Sequence, residues 1–116
     1  MFIAMNRFRI AHGREEEFER IWAERRTNLP EVPGFRAFHL LRGPSAEDHT
    51  LFASHTIWES RAHFEDWTRS DAFRRAHSGA GPSAGLYLGP PQFEGFEVVQ
   101  EITAGDNFPP EILPAA

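Results

Sequence analysis

The hydrophobic period along this chain switches repeatedly between two and about 3.6, and the order of those switches restricts the fold more than any single motif does. In residues 2–10, Phe2, Ala4, Asn6, Phe8 and Ile10 alternate with Ile3, Met5, Arg7 and Arg9, the period of a strand. In residues 14–29, Phe18, Ile21, Trp22, Arg25 and Leu29 recur at helical spacing. Glu15, Glu16 and Glu17 add negative charge where the first turn of a helix is stabilised by it. Pro30 and Pro33-Gly34 end that helix. Residues 35–42 and 50–58 are aromatic and β-branched runs joined by the turn-rich stretch 43–48, which predicts a hairpin. Ser60 is a candidate N-cap for a helix carrying Phe64 and Trp67, and Ser70-Asp71 restarts a helical segment that ends near His77. A Gly/Pro/Ser-rich loop follows over 79–91 around Leu86-Tyr87-Leu88, and residues 96–102 read as the last strand. The order βαββαβ predicts an α+β, ferredoxin-like domain with both helices on one face of the sheet.

A chain of 116 residues accommodates one such domain, expected over residues 1–103, with a proline-containing irregular tail over 104–116. Phe38 and Leu40, between Arg36 and Arg42, read as an apolar pattern on the sheet face away from the helices. Two sheets packed face to face would bury that pattern, so the expected state is a homodimer, a dimeric α+β barrel.

Composition removes several function classes. The net charge is −5, and all 12 cationic side chains are scattered arginines, which argues against nucleic-acid or anionic-membrane partners. The chain has no cysteine, so thiolate ligands, cysteine nucleophiles and iron–sulfur clusters are excluded. No basic leader followed by an apolar run opens the sequence, and no stretch reaches the roughly 20 apolar residues of a membrane span, so the expected location is cytoplasmic. Triad and dinucleotide motifs are missing as well. His39 and His55 fall on strands where they could meet across the sheet, but without the spacing or carboxylate company of a zinc or non-haem iron site. Eleven Phe and three Trp exceed what a minimal core of this size needs, which leaves aromatics for a flat apolar ligand or a subunit interface.

Three residues stand out against that background. Strand parity puts the Asn6 amide on the same face as Phe2, Phe8 and Ile10, where it is either satisfied by nearby backbone or aimed into a pocket as a donor. Trp67, three residues after Phe64, suits a core position or a pocket wall. His77, at a helix end beside a glycine-rich loop, can be a charged cap or a neutral metal ligand.

Asn6 on the first strand, Trp58-Glu59-Ser60 opening the second helix, Trp67 within it and His77 at its end together resemble the IsdG-type haem-degrading monooxygenases of the antibiotic biosynthesis monooxygenase superfamily. Pro33-Gly34-Phe35, Leu40-Leu41-Arg42 and Phe96-Glu97-Val98-Val99 are similar too, so the resemblance spans about residues 2–102. It implies an enzyme that opens the porphyrin ring oxidatively and releases iron, with haem as both cofactor and substrate. Dioxygen and an external electron donor, such as an NAD(P)H-dependent reductase, would be required. It further implies His77 as the axial ligand to haem iron, Asn6 as a distal hydrogen-bond donor to bound dioxygen, and Trp67 pressing the macrocycle out of plane. Trp22 and Arg25 match positions facing the pocket in relatives, with Arg25 meeting a propionate or solvent. Two other functions suit the same fold: a non-catalytic haem carrier or sensor, and a cofactor-independent monooxygenase acting on an aromatic polyketide or quinol.

Overall fold

A computed structural model describes residues 1–25, 28–77 and 85–105 of the protein, the side chains of residues 75–77 excepted. In chain order the elements are β1 (Phe2–Ala11), α1 (Glu15–Glu24), a 3₁₀ turn (Leu29–Glu31), β2 (Phe35–Ser45), β3 (His49–Trp58), α2 (Arg61–Thr68), α3 (Asp71–His77) and β4 (Gln92–Glu97). The strands form one antiparallel sheet in the order β2-β3-β1-β4. Phe18 of α1 packs on Phe8 and Phe52, and Phe64 of α2 packs on Phe2, so both helices lie on the face that parity assigns to Phe2 and Phe8. This is the α+β, ferredoxin-like arrangement expected.

Local chemistry accounts for the helix boundaries. The Ser60 hydroxyl accepts the His63 N–H at 3.2 Å and caps α2. Ser70 interrupts the helical run: its hydroxyl donates to the Trp67 carbonyl at 2.6 Å and accepts the Phe73 N–H at 3.1 Å, closing one helix and opening the next. α1 is shorter than its hydrophobic pattern suggests. It stops at Glu24, Arg25 turns to an extended conformation, and Leu29 reaches the core from the separate 3₁₀ turn.

Two further expectations are corrected. The last strand is Gln92–Glu97, not residues 96–102, because a strand extends only where it has a partner. β4 pairs with β1 from Arg7↔Gln92 to Phe2↔Glu97, one more backbone bond joins Val98 to Met1, and Val99 is then almost fully exposed. Phe38 and Leu40 also face the helices, not the open side. The register slips by one residue at Arg36, so that Phe35 pairs with Trp58 and Ala37 with Ile57. The bulge reverses the parity of everything after it, and Phe38 and Leu40 join the helix-side clusters. The open face instead carries Ile3, Met5, Ala37, Leu41 and Ile57, with His39 and His55 directly paired, their rings 5.6 Å apart.

Residues 79–84 of the predicted loop and 106–116 of the predicted tail lie outside the described residues. Within the described part, Leu86 is buried and Tyr87 bridges to Ile10, so the apolar triplet continues the β1 edge beyond β4.

Gly34 joins the 3₁₀ turn to β2 with φ +82°, and a Cβ there would collide with the Cβ and ring of His63. Gly34→Ala is expected to cost about 1–2 kcal/mol through the left-handed backbone alone, with the collision adding to it. An unchanged urea midpoint would show that the junction can rearrange and would refute this account.

Candidate active site

The cavity begins in the residue sizes of two neighbouring strands. β1 presents Phe2, Ala4, Asn6 and Phe8 to the helices, and β3 presents Trp58, Thr56, Ser54 and Phe52 opposite them in register. Large side chains meet at both ends and small ones in the middle. The helix-side core therefore splits in two. Phe8, Ile10, Phe18, Phe52 and Leu86 form one cluster, and Phe2, Ala4, Leu29 and Trp58 form the other. Between them lies a cavity of about 280 Å³, near the lower end of the range for small-molecule pockets. A hollow of about 250 Å³ adjoins it and shares Trp22, Arg25, Leu29 and Phe38 with it.

Asn6 sits on the cavity floor at the seam between the clusters, half-buried. Its side-chain amide makes no hydrogen bond to any described residue, so of its two possible roles the structure displays the pocket-facing one rather than the backbone-satisfied one. Its cross-strand neighbours are Ser54 on β3 and Phe93 on β4. Ser54 is only 7% exposed and lines the same cavity; its hydroxyl makes no hydrogen bond to a described residue and is not one of the fully buried unpartnered atoms, so it keeps access to open space. Thr56, one pleat along, is satisfied by donating to the Ala4 carbonyl at 3.2 Å.

Trp67 forms part of the wall, with its ring 5.4 Å from Trp58 and edge-on to Phe73 of α3 at 4.7 Å. Trp22 stacks on Phe38 at 5.6 Å, and its buried Nε1 has no partner among the described residues. The Arg25 guanidinium lies 4.1 Å from the Trp22 ring centroid. Among the described residues no carboxylate pairs with Arg25. Burial pulls its pKa below the ordinary arginine value, an effect partly offset by Tyr87, but arginine is so basic that the charge persists at neutral pH. Asn6, Trp67, Trp22 and Arg25 thus converge on one cavity. α3 carries Phe73 in the wall and ends at His77, four residues on; the His77 side chain lies outside the described residues.

Ser54, Thr56, Phe93 and Phe73 do not stand out in the sequence. The signal for the first two is present as the matched patterns Phe-x-Ala-x-Asn-x-Phe and Phe-x-Ser-x-Thr-x-Trp, which gain meaning only once their antiparallel register is known.

The fold is thus a ferredoxin-like domain with an aromatic cavity between helices and sheet, lined by the Asn6 amide and the half-buried Arg25 guanidinium, a shape and chemistry suited to small, largely apolar ligands bearing a few polar groups. Residues 1–79 match the antibiotic biosynthesis monooxygenase family, and the chain belongs to it. It is 31% identical over 81 residues to a staphylobilin-producing heme oxygenase of Staphylococcus haemolyticus, a match covering 66% of this chain and 73% of that protein. Its structure is similar to that of the heme-degrader MhuD from Mycobacterium tuberculosis, solved with two hemes bound in its active site. The TM-score is 0.68 at 27% identity, over 89% of this chain and all (100%) of that one. A mutant of SnoaB, a cofactor-independent oxygenase from Streptomyces nogalater, shares the fold with a TM-score of 0.63 at 20% identity, over 87% of this chain and 95% of that one. No helix among the described residues is long and apolar enough to cross a membrane.

Proposed function

We propose that the protein is a haem-degrading monooxygenase that opens the porphyrin ring and releases iron, using dioxygen and an external electron donor. The observation that carries this reading is the convergence of Asn6, Trp67, Trp22 and Arg25 on a single aromatic cavity. The likeness to a heme oxygenase and to MhuD supports it.

The residues present fit the group. A macrocycle with apolar faces and anionic edge substituents suits aromatic walls beside a half-buried arginine with no carboxylate partner among the described residues, and the Trp22 Nε1 lacks an acceptor among them. In this reading His77, one helical turn beyond Phe73, would hold the iron, Arg25 and Trp22 would hold the macrocycle edge, and Trp67 would supply an aromatic wall against its face. Haem supplies the redox chemistry and is itself consumed. The chain's own contribution is to orient the macrocycle, exclude water with aromatic surface and hold a hydrogen bond from Asn6 to the reacting oxygen.

The reading also includes a homodimer formed through the open sheet face, a domain boundary near residue 103 and a cytoplasmic location. The apolar groups Ile3, Met5, Ala37, Leu41 and Ile57 on that face support the dimer. Sedimentation at micromolar concentration is expected to give twice the chain mass; a stable monomer would remove the dimer from the proposal.

Anaerobic hemin titration followed by ascorbate and air tests the reaction. A Soret band that forms and then decays to a bilin of defined mass is expected. A stable Soret band under every donor would indicate a haem carrier or sensor. No hemin binding, together with oxygenation of a polycyclic phenol, would indicate a cofactor-independent oxygenase.

A further inference from the structure

We propose that Ser54 is a second hydrogen-bond donor to the reacting oxygen, acting beside Asn6; this rests on the haem reading above. Four observations lead to it. Ser54 and Asn6 are directly paired across β3 and β1, so their side chains leave the same face of the sheet as neighbours. Both line the cavity. Ser54 is 93% buried, being 7% exposed, and its hydroxyl has no partner among the described residues. The hydroxyl is not one of the fully buried atoms left without a partner, so it keeps access to open space, which for a residue this buried is the cavity it lines.

The neighbouring positions on the floor sharpen the assignment. Thr56 has its hydroxyl committed to the Ala4 carbonyl, and the side chains of Ala4 and Leu40 carry no donor. On the other side of Asn6 stands Phe93, stacked on Phe64 at 5.6 Å. Asn6 therefore has a donor on one flank and an aromatic ring on the other. Among these strand positions, an oxygen atom held by the amide finds a second donor on the β3 side and not on the β4 side, which gives the pair a direction as well as a strength.

The test compares wild type, Ser54→Ala and Ser54→Thr. Ser54→Ala is expected to leave the thermal midpoint of the hemin-free protein unchanged or raised, since the hydroxyl it removes has no partner there. A clear drop would mean that the hydroxyl is held by the fold, which overturns the proposal. In the ferrous haem–CO complex, loss of a donor is expected to raise the C–O stretching frequency in Ser54→Ala, and Ser54→Thr should restore the wild-type value. Turnover should fall by about threefold to tenfold, the range of one neutral hydrogen bond. Normal hemin binding with an unmoved C–O stretch would refute the role of Ser54 alone. Absence of hemin binding by the wild type would refute the haem reading and, with it, this inference.

Discussion

Asn6→Ala is expected to bind hemin within a few-fold of wild type and to open the ring about 10²–10³-fold more slowly. The two halves of that expectation have different origins. In the proposed reading hemin affinity would draw on the aromatic walls and Arg25, which the substitution leaves in place. The rate would draw on the Asn6 amide, which lines the cavity and is bonded to no described residue, so no internal hydrogen bond has to break before it acts. Removing one preorganised donor of this kind costs catalysis about 10²–10³-fold in well-studied oxyanion sites. Single-turnover decay of the Soret band under ascorbate measures it. A variant that turns over at the wild-type rate would remove Asn6 from the chemistry.

The largest effect on stability is expected at Phe18. It is fully buried, at 0% exposure, and is the one buried residue of α1. Its ring lies 4.8 Å from Phe52, 5.5 Å from Phe8 and 5.9 Å from Tyr87, so it joins the helix to β1, β3 and the 85–89 segment at once. Phe18→Ala should cost about 3–5 kcal/mol. That is a large part of the roughly 5–15 kcal/mol that holds a domain of this kind together. Because Trp22 and Arg25 are carried by α1 and its C-terminal cap, hemin affinity should fall with it. Urea denaturation reads the stability directly. A loss below about 1 kcal/mol would show that the cluster can close around the gap, against the usual behaviour of cores.

What can be read in the chain depends on whether its cause is local. The alternation in β1, the Ser60 cap and the interruption at Ser70 each arise from residues within a turn of one another, and each lies where the pattern places it. The face of Asn6 follows from parity for the same reason. β4 is displaced from its expected position because its ends are set by β1, nearly 90 residues earlier, and not by its own apolar content. Phe38 and Leu40 lie on the face opposite to the one expected because a bulge is a property of pairing, which no period within one strand reveals. Ser54 and Thr56 are inconspicuous as small polar residues in a strand. Only beside Ala4 and Asn6 do they become the floor of a hollow. The roles proposed for Trp67 and His77 come from the resemblance to haem-degrading relatives, and the structure adds that Trp67 lines the cavity.

The bulge at Arg36 decides which side chains of β2 this pocket receives. β2 bears two complete sets of side chains, Phe38 and Leu40 turned toward the cavity and Ala37, His39 and Leu41 turned away, and one inserted residue chooses between them. Losing that residue would exchange the sets without altering any of their members, bringing the His39 imidazole to the ligand side and sending Phe38 outward. A change of length by a single codon could thus rewrite the pocket's chemistry in one step, where point substitution would need several.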